Sequence, residues 1–410
     1  MPSLSPSLLC LCTALSIAAA TKPNILLIVA DDLGYNEMGF QNASRGLITP
    51  TLDALAKAGV TLKNYAVQPI CSPTRSALMT GRYPVHLGTQ ANVIYWDTPW
   101  GVSLQETFMG ENMQDAGYTT AMYGKWHLGM ACPGMLPEHR GFNYTSGFSQ
   151  GCGDYFKHEA AVCTVTGGNW TQYAGYDWNT NGTIDISVNG TYSAELIADL
   201  AVDFLEAQES EEAPWFLYLP FQNVHQPFEV EAKYNVCTQA TPDQTTICGM
   251  IAELDDKVGQ IMKALEATNQ VDNTVIVFTS DNGAPTQGDP REPTSNYTVS
   301  RNYPLRGWKT QLFSGGIRVP AFVNSPLLKN PGRESHEMFH VTDWLPTFVG
   351  LAGGSTSRNM PLDGFDIWES VSTGAPSPRK ERLVNINPLC DAGQATKPKA
   401  AYVMGDMKLL

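Results

Sequence analysis

The chain has 410 residues, 43% of them hydrophobic and 16% charged, with a formal net charge of −14 at pH 7. That apolar content builds a large core and excludes a disordered chain, and the length accommodates one large α/β domain or two smaller ones. The acidic balance excludes a nucleic-acid partner held by a basic surface, yet it permits an anionic substrate wherever Lys, Arg, His and a metal gather in one cleft.

Taken in chain order, residues 4–20 are an apolar run ending in Ala18-Ala19-Ala20. This pattern predicts a signal peptide over 1–20 and a soluble protein of the secretory pathway, lysosomal or extracellular. The run is short for a bilayer span and no later stretch reaches spanning length, so no transmembrane segment is predicted. Asn-x-Ser/Thr sequons at Asn42, Asn143, Asn169, Asn181, Asn189 and Asn296 suit an exported glycoprotein. Removing Cys10 and Cys12 with the leader leaves seven cysteines, an odd number. Setting Cys71 aside for chemistry leaves six, which can pair in fifteen ways. Cys152 with Cys163 and Cys237 with Cys248 are the preferred local pairs, leaving Cys132 and Cys390. Nothing in the pattern sets an oligomeric state.

Asn24-Ile25-Leu26-Leu27-Ile28-Val29-Ala30 is a continuous, branched-rich apolar run and reads as a fully buried strand of a parallel sheet. Asp31 and Asp32 follow at its carboxyl end, where open α/β sheets bind ligands. Two adjacent carboxylates there call for a cation, although Gly34 also allows a plain solvated turn. A helix is predicted over 51–58. Cys71-Ser72-Pro73-Thr74-Arg75 leads into a short helix over 76–80 that Gly81 stops. A side chain at such a start faces free backbone N–H groups and the positive end of the helix dipole, which suits a nucleophile attacking an anion. The plainer alternative is a buried structural cysteine.

Ser103-Leu104-Gln105-Glu106 is a capping-box pattern opening a helix over 103–116, and 119–122 is a short strand running into Lys125 and His127. Residues 142–191, rich in Gly, Asn, Tyr and Thr, read as a surface excursion. Helices over 192–207, 248–267 and 343–352 and strands over 215–219, 274–279 and 319–323 complete the pattern. His225 follows the strand at 215–219, and Asp281 with Asn282 follows the strand at 274–279. This alternation predicts a large, mostly parallel sheet sandwiched by helices. The polar residues at the strand ends then converge along one sheet edge. Asp31, Asp32, Asp281 and Asn282 form a hard oxygen set suited to Ca²⁺ or Mg²⁺, favoured over a zinc site using His127 and His225.

Cys71-Ser72-Pro73-Thr74-Arg75 with Thr80-Gly81-Arg82 resembles the sulfatase signature, and Gly117-Tyr118-Thr119-Thr120 with Gly124-Lys125-Trp126-His127-Leu128-Gly129 resembles the family's second signature. Within the sulfatases the chain is most similar to the group around arylsulfatase B, the N-acetylgalactosamine-4-sulfatase. That likeness is carried by 30–36, 305–309, 340–347 and 361–366. It lacks the extra cysteine pair of that group in the region of 95–103.

The resemblance implies an alkaline-phosphatase-like fold, with a catalytic domain over 21–375 and an incomplete, small antiparallel-sheet domain over 376–410. It implies that a formylglycine-generating enzyme, reading the Pro73 and Arg75 spacing, converts Cys71 to formylglycine. One hydroxyl of the hydrated aldehyde would attack sulfur, and the other would lose its proton so that sulfate leaves. The implied ligands of one Ca²⁺ (or Mg²⁺) are Asp31, Asp32, Asp281, Asn282 and the converted Cys71. Arg75 would orient the nucleophile, and Lys125 and Lys309 would neutralise sulfate oxygens. His127 would be the base, and His225 with Lys309 would protonate the leaving oxygen. The implied substrate is an aryl sulfate or sulfated carbohydrate, with sulfated N-acetylgalactosamine of glycosaminoglycans foremost. A phosphate or phosphonate ester hydrolase on the same fold is one alternative. A non-catalytic glycan-binding protein with unconverted Cys71 is the other.

Overall fold

Alternation along one central strand divides the interior in two. The structure, a computed structural model, describes residues 22–41, 48–166, 169–238, 242–285, 302–387 and 400–410, with backbone alone over 161–166 and 169–173. The expected leader with Cys10 and Cys12, the sequons at Asn42 and Asn296, and Cys390 lie outside the described residues, as do the side chains of Cys163 and Asn169. In strand β1 (Asn24–Ala30), Ile25, Leu27 and Val29 face one core while Leu26, Ile28 and Ala30 face the other. Burial on both faces is why this strand reads as an unbroken apolar run.

Nine further strands extend the sheet. In chain order they are β2 (Val60–Leu62), β3 (Thr119–Lys125), β4 (Tyr144–Phe148), β5 (Asn179–Thr180), β6 (Thr183–Ile184), β7 (Trp215–Pro220), β8 (Thr274–Ser280), β9 (Phe322–Asn324) and β10 (Arg333–Ser335). The spatial order is β10-β2-β9-β8-β1-β7-β3-β4-β5-β6. The block β8-β1-β7-β3-β4 is parallel throughout, and β9, β5 and β6 join antiparallel. Helices α1 (Pro50–Ala58), α4 (Ser193–Ala207) and α5 (Pro242–Ala267) cover one face. Helices α2 (Cys71–Thr80), α3 (Met109–Asp115) and α6 (Trp344–Leu351) cover the other. The expected helix-sandwiched, mostly parallel sheet is thus observed.

Several boundaries differ from expectation. Helix α2 begins at Cys71 rather than at 76, because the Thr74 N–H already reaches Ile70 O at 3.2 Å and Pro73 needs no partner in the first turn. Residues 103–106 form a turn closed by Glu106 N to Ser103 O at 3.1 Å. The capping carboxylate is Glu111, accepting from Phe108 N at 2.8 Å, so α3 starts at Met109. Helix α5 starts at Pro242, one and a half turns before the expected 248. The region 142–191 is not only a surface excursion: β4, β5 and β6 extend the main sheet, Glu159–Thr166 and Asn169–Tyr176 pair as a hairpin, and Tyr155 and Trp178 are buried. Cys237 and Cys248 are disulfide-bonded, as preferred from their spacing.

Past residue 375 a separate antiparallel sheet forms from β11 (Glu381–Ile386), β12 (Ala400–Met404) and β13 (Met407–Leu409). Val384, Ala401 and Val403 pack it onto Leu312, Ile317 and Met338. Arg379, buried at the junction, holds Asp343 through Nε at 2.9 and 3.1 Å and Nη2 at 2.5 Å. It also reaches Tyr83 Oη and the Asp363 and Thr342 oxygens.

Candidate active site

The parallel block delivers four polar segments to one edge. Asp31 and Asp32 leave β1, Lys125 ends β3, the 221–225 segment leaves β7, and Asp281 and Asn282 leave β8. Backbone bonds lock these ends together. Asp31 N donates to Asn223 O at 2.8 Å, Val224 N to Asp31 O at 2.7 Å, and Asp281 N to Ala30 O at 3.1 Å. The first turn of α2 lies over them and brings Cys71 Sγ to 3.8 Å from Asp31 Oδ1. Asp31, Asp32, Cys71, Arg75, Lys125, His127, His225, Asp281 and Asn282 are all buried, whereas the Lys309 side chain keeps 12% of its surface exposed.

Each cation of the cluster is anchored by a carboxylate. Arg75 sets Nη2 and Nε at 2.8 and 3.1 Å from Asp281 Oδ2, with Nη1 on Lys125 O at 3.3 Å. Lys125 Nζ lies 2.5 Å from Asp31 Oδ2, and Lys309 Nζ lies 2.8 Å from Asp32 Oδ2. Such pairs survive burial because the charges compensate and hydrogen-bond one another. His225 Nε2 stands 3.2 Å from Lys309 Nζ, and its Nδ1 stands 2.7 Å from Gln226 O. The carbonyl assigns the proton to Nδ1, so Nε2 accepts from Lys309.

The protonation states follow from this crowding. Burial and the Asp281 carboxylate push Asp31 up to about 8, against the pull of Lys125 and Arg75. Despite burial, Lys309 and His225 hold Asp32 below the usual carboxylate range, and Arg75, Lys125 and Lys309 do the same to Asp281. Burial and Asp281 push the Cys71 thiol upward, against the dipole of α2. Burial and then Lys125 and Arg75 hold His127 well below its ordinary value.

All the residues expected at the site are therefore brought together. One atom each of Asp31, Asp32, Cys71 and His225 falls within a common 4.8 Å, an arrangement able to hold a metal. The Asn282 amide joins them, with Nδ2 2.6 Å from Asp32 Oδ1 and a buried Oδ1 that has no partner among the described residues. The Asp31 and Asp32 carboxylates and the Asn282 amide oxygen fit a hard divalent cation, whereas Asp281, expected as a ligand, is not among the four and its oxygens accept from Asp32 N and Arg75. His127 is not in that cluster, so the zinc pairing of His127 with His225 is not what the fold assembles.

Three of these segments are held in the left-handed backbone region, which non-glycine residues rarely occupy: Asp32 (φ 61°), His127 (φ 57°) and Thr310 beside Lys309 (φ 76°). Reading the sequence did not find the residues that hold the two histidines. The Tyr155 hydroxyl lies 2.7 Å from His225 O and 2.9 Å from Gln222 O. Ser72 Oγ donates to His127 O at 2.9 Å. Gly151 packs on the His127 ring so closely that a Cβ there would sit 2.7 Å from Cε1.

The family described as Sulfatase matches residues 23–355. Among curated proteins, the chain is 36% identical over 376 residues to mouse (Mus musculus) Arylsulfatase J, covering 91% of this chain and 59% of that protein. It is 31% identical over 374 residues to mouse N-acetylgalactosamine-6-sulfatase, covering 88% and 68%. Among solved structures, Ps i-CgsB in complex with k-i-k-neocarrahexaose superposes with a TM-score of 0.79 at 29% identity, over 95% of this chain and 83% of that one. Among the described residues, no helix is long and apolar enough to cross a membrane.

Proposed function

The chain belongs to the sulfatase family of sulfuric ester hydrolases, and from that premise we propose that it hydrolyses sulfate esters on a sulfated sugar polymer. The substrate class we propose is sulfated N-acetylgalactosamine of glycosaminoglycans. The observation that carries this reading is the floor of the cleft. Cys71 opens a fully buried helix beside Asp31, with Arg75, Lys125 and Lys309 each tied to a carboxylate around it. The sugar is supported by the names of the N-acetylgalactosamine-6-sulfatase relative and of the neocarrahexaose complex. In this reading residues 21–375 are the catalytic domain, 376–410 belong to a small C-terminal domain, and the protein is lysosomal or extracellular.

Asp31, Asp32, Asp281 and Asn282, with position 71, are the residues that would hold Ca²⁺ or Mg²⁺, which when bound supplies Lewis-acid polarisation of a sulfate oxygen. Formylglycine, made from Cys71 by a formylglycine-generating enzyme, supplies a hydrated-aldehyde nucleophile that can expel its own adduct. The chain's own side chains do the rest. Arg75, immobilised by Asp281, orients position 71. Lys125 and Lys309 present fixed positive charge to the non-bridging oxygens as charge builds on them. Lys309 holds a transferable proton at Nζ, and His225 Nε2, within 3.2 Å, exchanges it with the leaving oxygen. His127 is neutral near pH 7 because burial, Lys125 and Arg75 disfavour its cation, so its ring is free to take a proton at the second stage.

Two measurements test the reading together. The peptide containing Cys71, from protein made in its natural host, should show exchange of the CH₂SH group for an aldehyde by mass spectrometry. The same protein should turn over an aryl sulfate in preference to an aryl phosphate. An intact thiol in active protein would refute the nucleophile, and preferred phosphate turnover would refute the reaction.

A further inference from the structure

A second cluster of cations lies where the C-terminal sheet meets the main body. A pocket of about 330 Å³ opens there, lined by Asn64, Arg318, His336, Arg382, Asp406 and Lys408 among others. Arg382, only 4% exposed, gives Nη1 to Asn64 O and Phe339 O at 3.0 and 3.3 Å and Nη2 to Asn64 Oδ1 at 3.0 Å, and its buried Nε has no partner among the described residues. Arg318 gives Nη2 to Lys63 O and lays its guanidinium 5.6 Å from the Tyr35 ring centroid, and its buried Nε is likewise without a partner among the described residues. Lys408 Nζ reaches Leu312 O. Every one of these acceptors is a neutral oxygen.

The electrostatics of the pocket are those of a site waiting for negative charge. Burial, Arg382 and Arg318 push Lys408 down to about 8, and burial, Arg318 and Arg379 push Arg382 down to about 10. The carboxylate among the lining residues, Asp406, is exposed. In a chain of net charge −14 such a concentration of like charge is not a general property of the surface. Two guanidinium groups and one ammonium lining one pocket are the side chains that recognise tetrahedral oxyanions.

We propose that this pocket, which none of the catalytic residues lines, is a second anion-binding site that takes a sulfate or phosphate group against the guanidinium groups of Arg382 and Arg318 and Lys408 Nζ. The group is either a free inorganic ion or a sulfate carried on a sugar polymer, and the two sources are separable. The test is calorimetric titration of the full chain at constant ionic strength, chloride replacing the probe in the control.

With inorganic sulfate, the wild type should show a binding component that Lys408→Gln and Arg318→Gln each weaken by about tenfold or more. Asp406→Asn, which removes the competing carboxylate, should tighten it. Turnover of an aryl sulfate should be unchanged in all three variants. A sulfated hexasaccharide binding about tenfold tighter than inorganic sulfate, with the gain lost in Lys408→Gln, identifies the polymer as the source. Equal affinities per sulfate identify the free ion. Sulfate and hexasaccharide titrations that are identical in the wild type, Lys408→Gln and Arg318→Gln, all with the same melting temperature, overturn the proposal. This result is independent of whether the catalytic cleft hydrolyses sulfate esters.

Discussion

Gly151→Ala is the sharpest test of the cleft, because it adds one methyl group and no charge. The new Cβ would stand 2.7 Å from His127 Cε1 and 3.0 Å from Nε2, where ordinary contact is 3.4–4 Å. The ring must therefore retreat by 0.7–1.3 Å, the difference between those distances. It has little freedom to do so by other means, since the His127 backbone is held at φ 57° and its carbonyl is bound by Ser72. A misplacement of about 1 Å in a catalytic group costs on the order of a hundredfold in rate. Steady-state kinetics on an aryl sulfate should show kcat lowered by about that factor with KM little changed. The melting temperature should stay within a few degrees of the wild type, because Gly151 lies in no helix or strand. A kcat within twofold of the wild type would remove His127 from the proton-transfer step, or show that its position is not held by this contact.

Arg379→Met should lower the unfolding free energy by about 3–5 kcal/mol in urea, since it strands the buried Asp343 carboxylate. Arg379→Met with Asp343→Asn should recover part of that loss, and a loss below about 1 kcal/mol in the single variant would contradict the junction described above. Burial and the neighbouring Glu231 carboxylate raise Glu253 to about 9. The native state then holds a proton that the unfolded chain releases above about 4.5, so the stability contributed by this group is full below that pH and is lost as pH rises through about 9. Glu253→Gln should flatten the fall of stability between those limits by up to about 1.4 kcal/mol per pH unit, and an unchanged slope would refute the assignment. Dialysis against a chelator should abolish aryl sulfate turnover, with recovery on adding Ca²⁺ or Mg²⁺. Asp281→Ala should lose metal content and activity together, so stoichiometric metal in that variant would remove Asp281 from the ligand set.

The parts of the cleft legible in the sequence share one physical origin. A parallel strand buried on both faces is a run of branched apolar residues, and it stops where the chain meets the ligand, so Asp31, Asp32, Asp281 and Asn282 stand out as polar punctuation. Lys125 and His225 are found by the same rule. The rule fails where burial is partial or pairing is short. β5 and β6 are two residues each, Asn-Thr and Thr-Ile, too short to show an alternating pattern, so nothing marked 142–191 as a sheet edge. Tyr155 and Gly151 come from that same stretch. A buttressing hydroxyl or a missing Cβ leaves no periodic trace, and only the distance to His225 and His127 reveals the role. The wedge of Arg318, Arg382 and Lys408 is hidden for another reason: its members come from three distant segments that no strand-end rule connects.

The geometry also changes how Cys71 is understood. At the start of a helix, a thiol would ordinarily be expected to ionise more readily and act as a thiolate. Here the two nearest cations are already committed, Arg75 to Asp281 and Lys125 to Asp31, and the burial that excludes water penalises any further anion. A thiolate at position 71 would add a further negative group to the buried Asp32 and Asp281 carboxylates. The cluster is therefore poorly arranged for a cysteine nucleophile and well arranged for a neutral one attacking an anion that brings its charge to Lys125 and Lys309. A hydrated aldehyde satisfies that condition and a cysteine does not. The charge balance of the cleft fits the conversion of Cys71 proposed above.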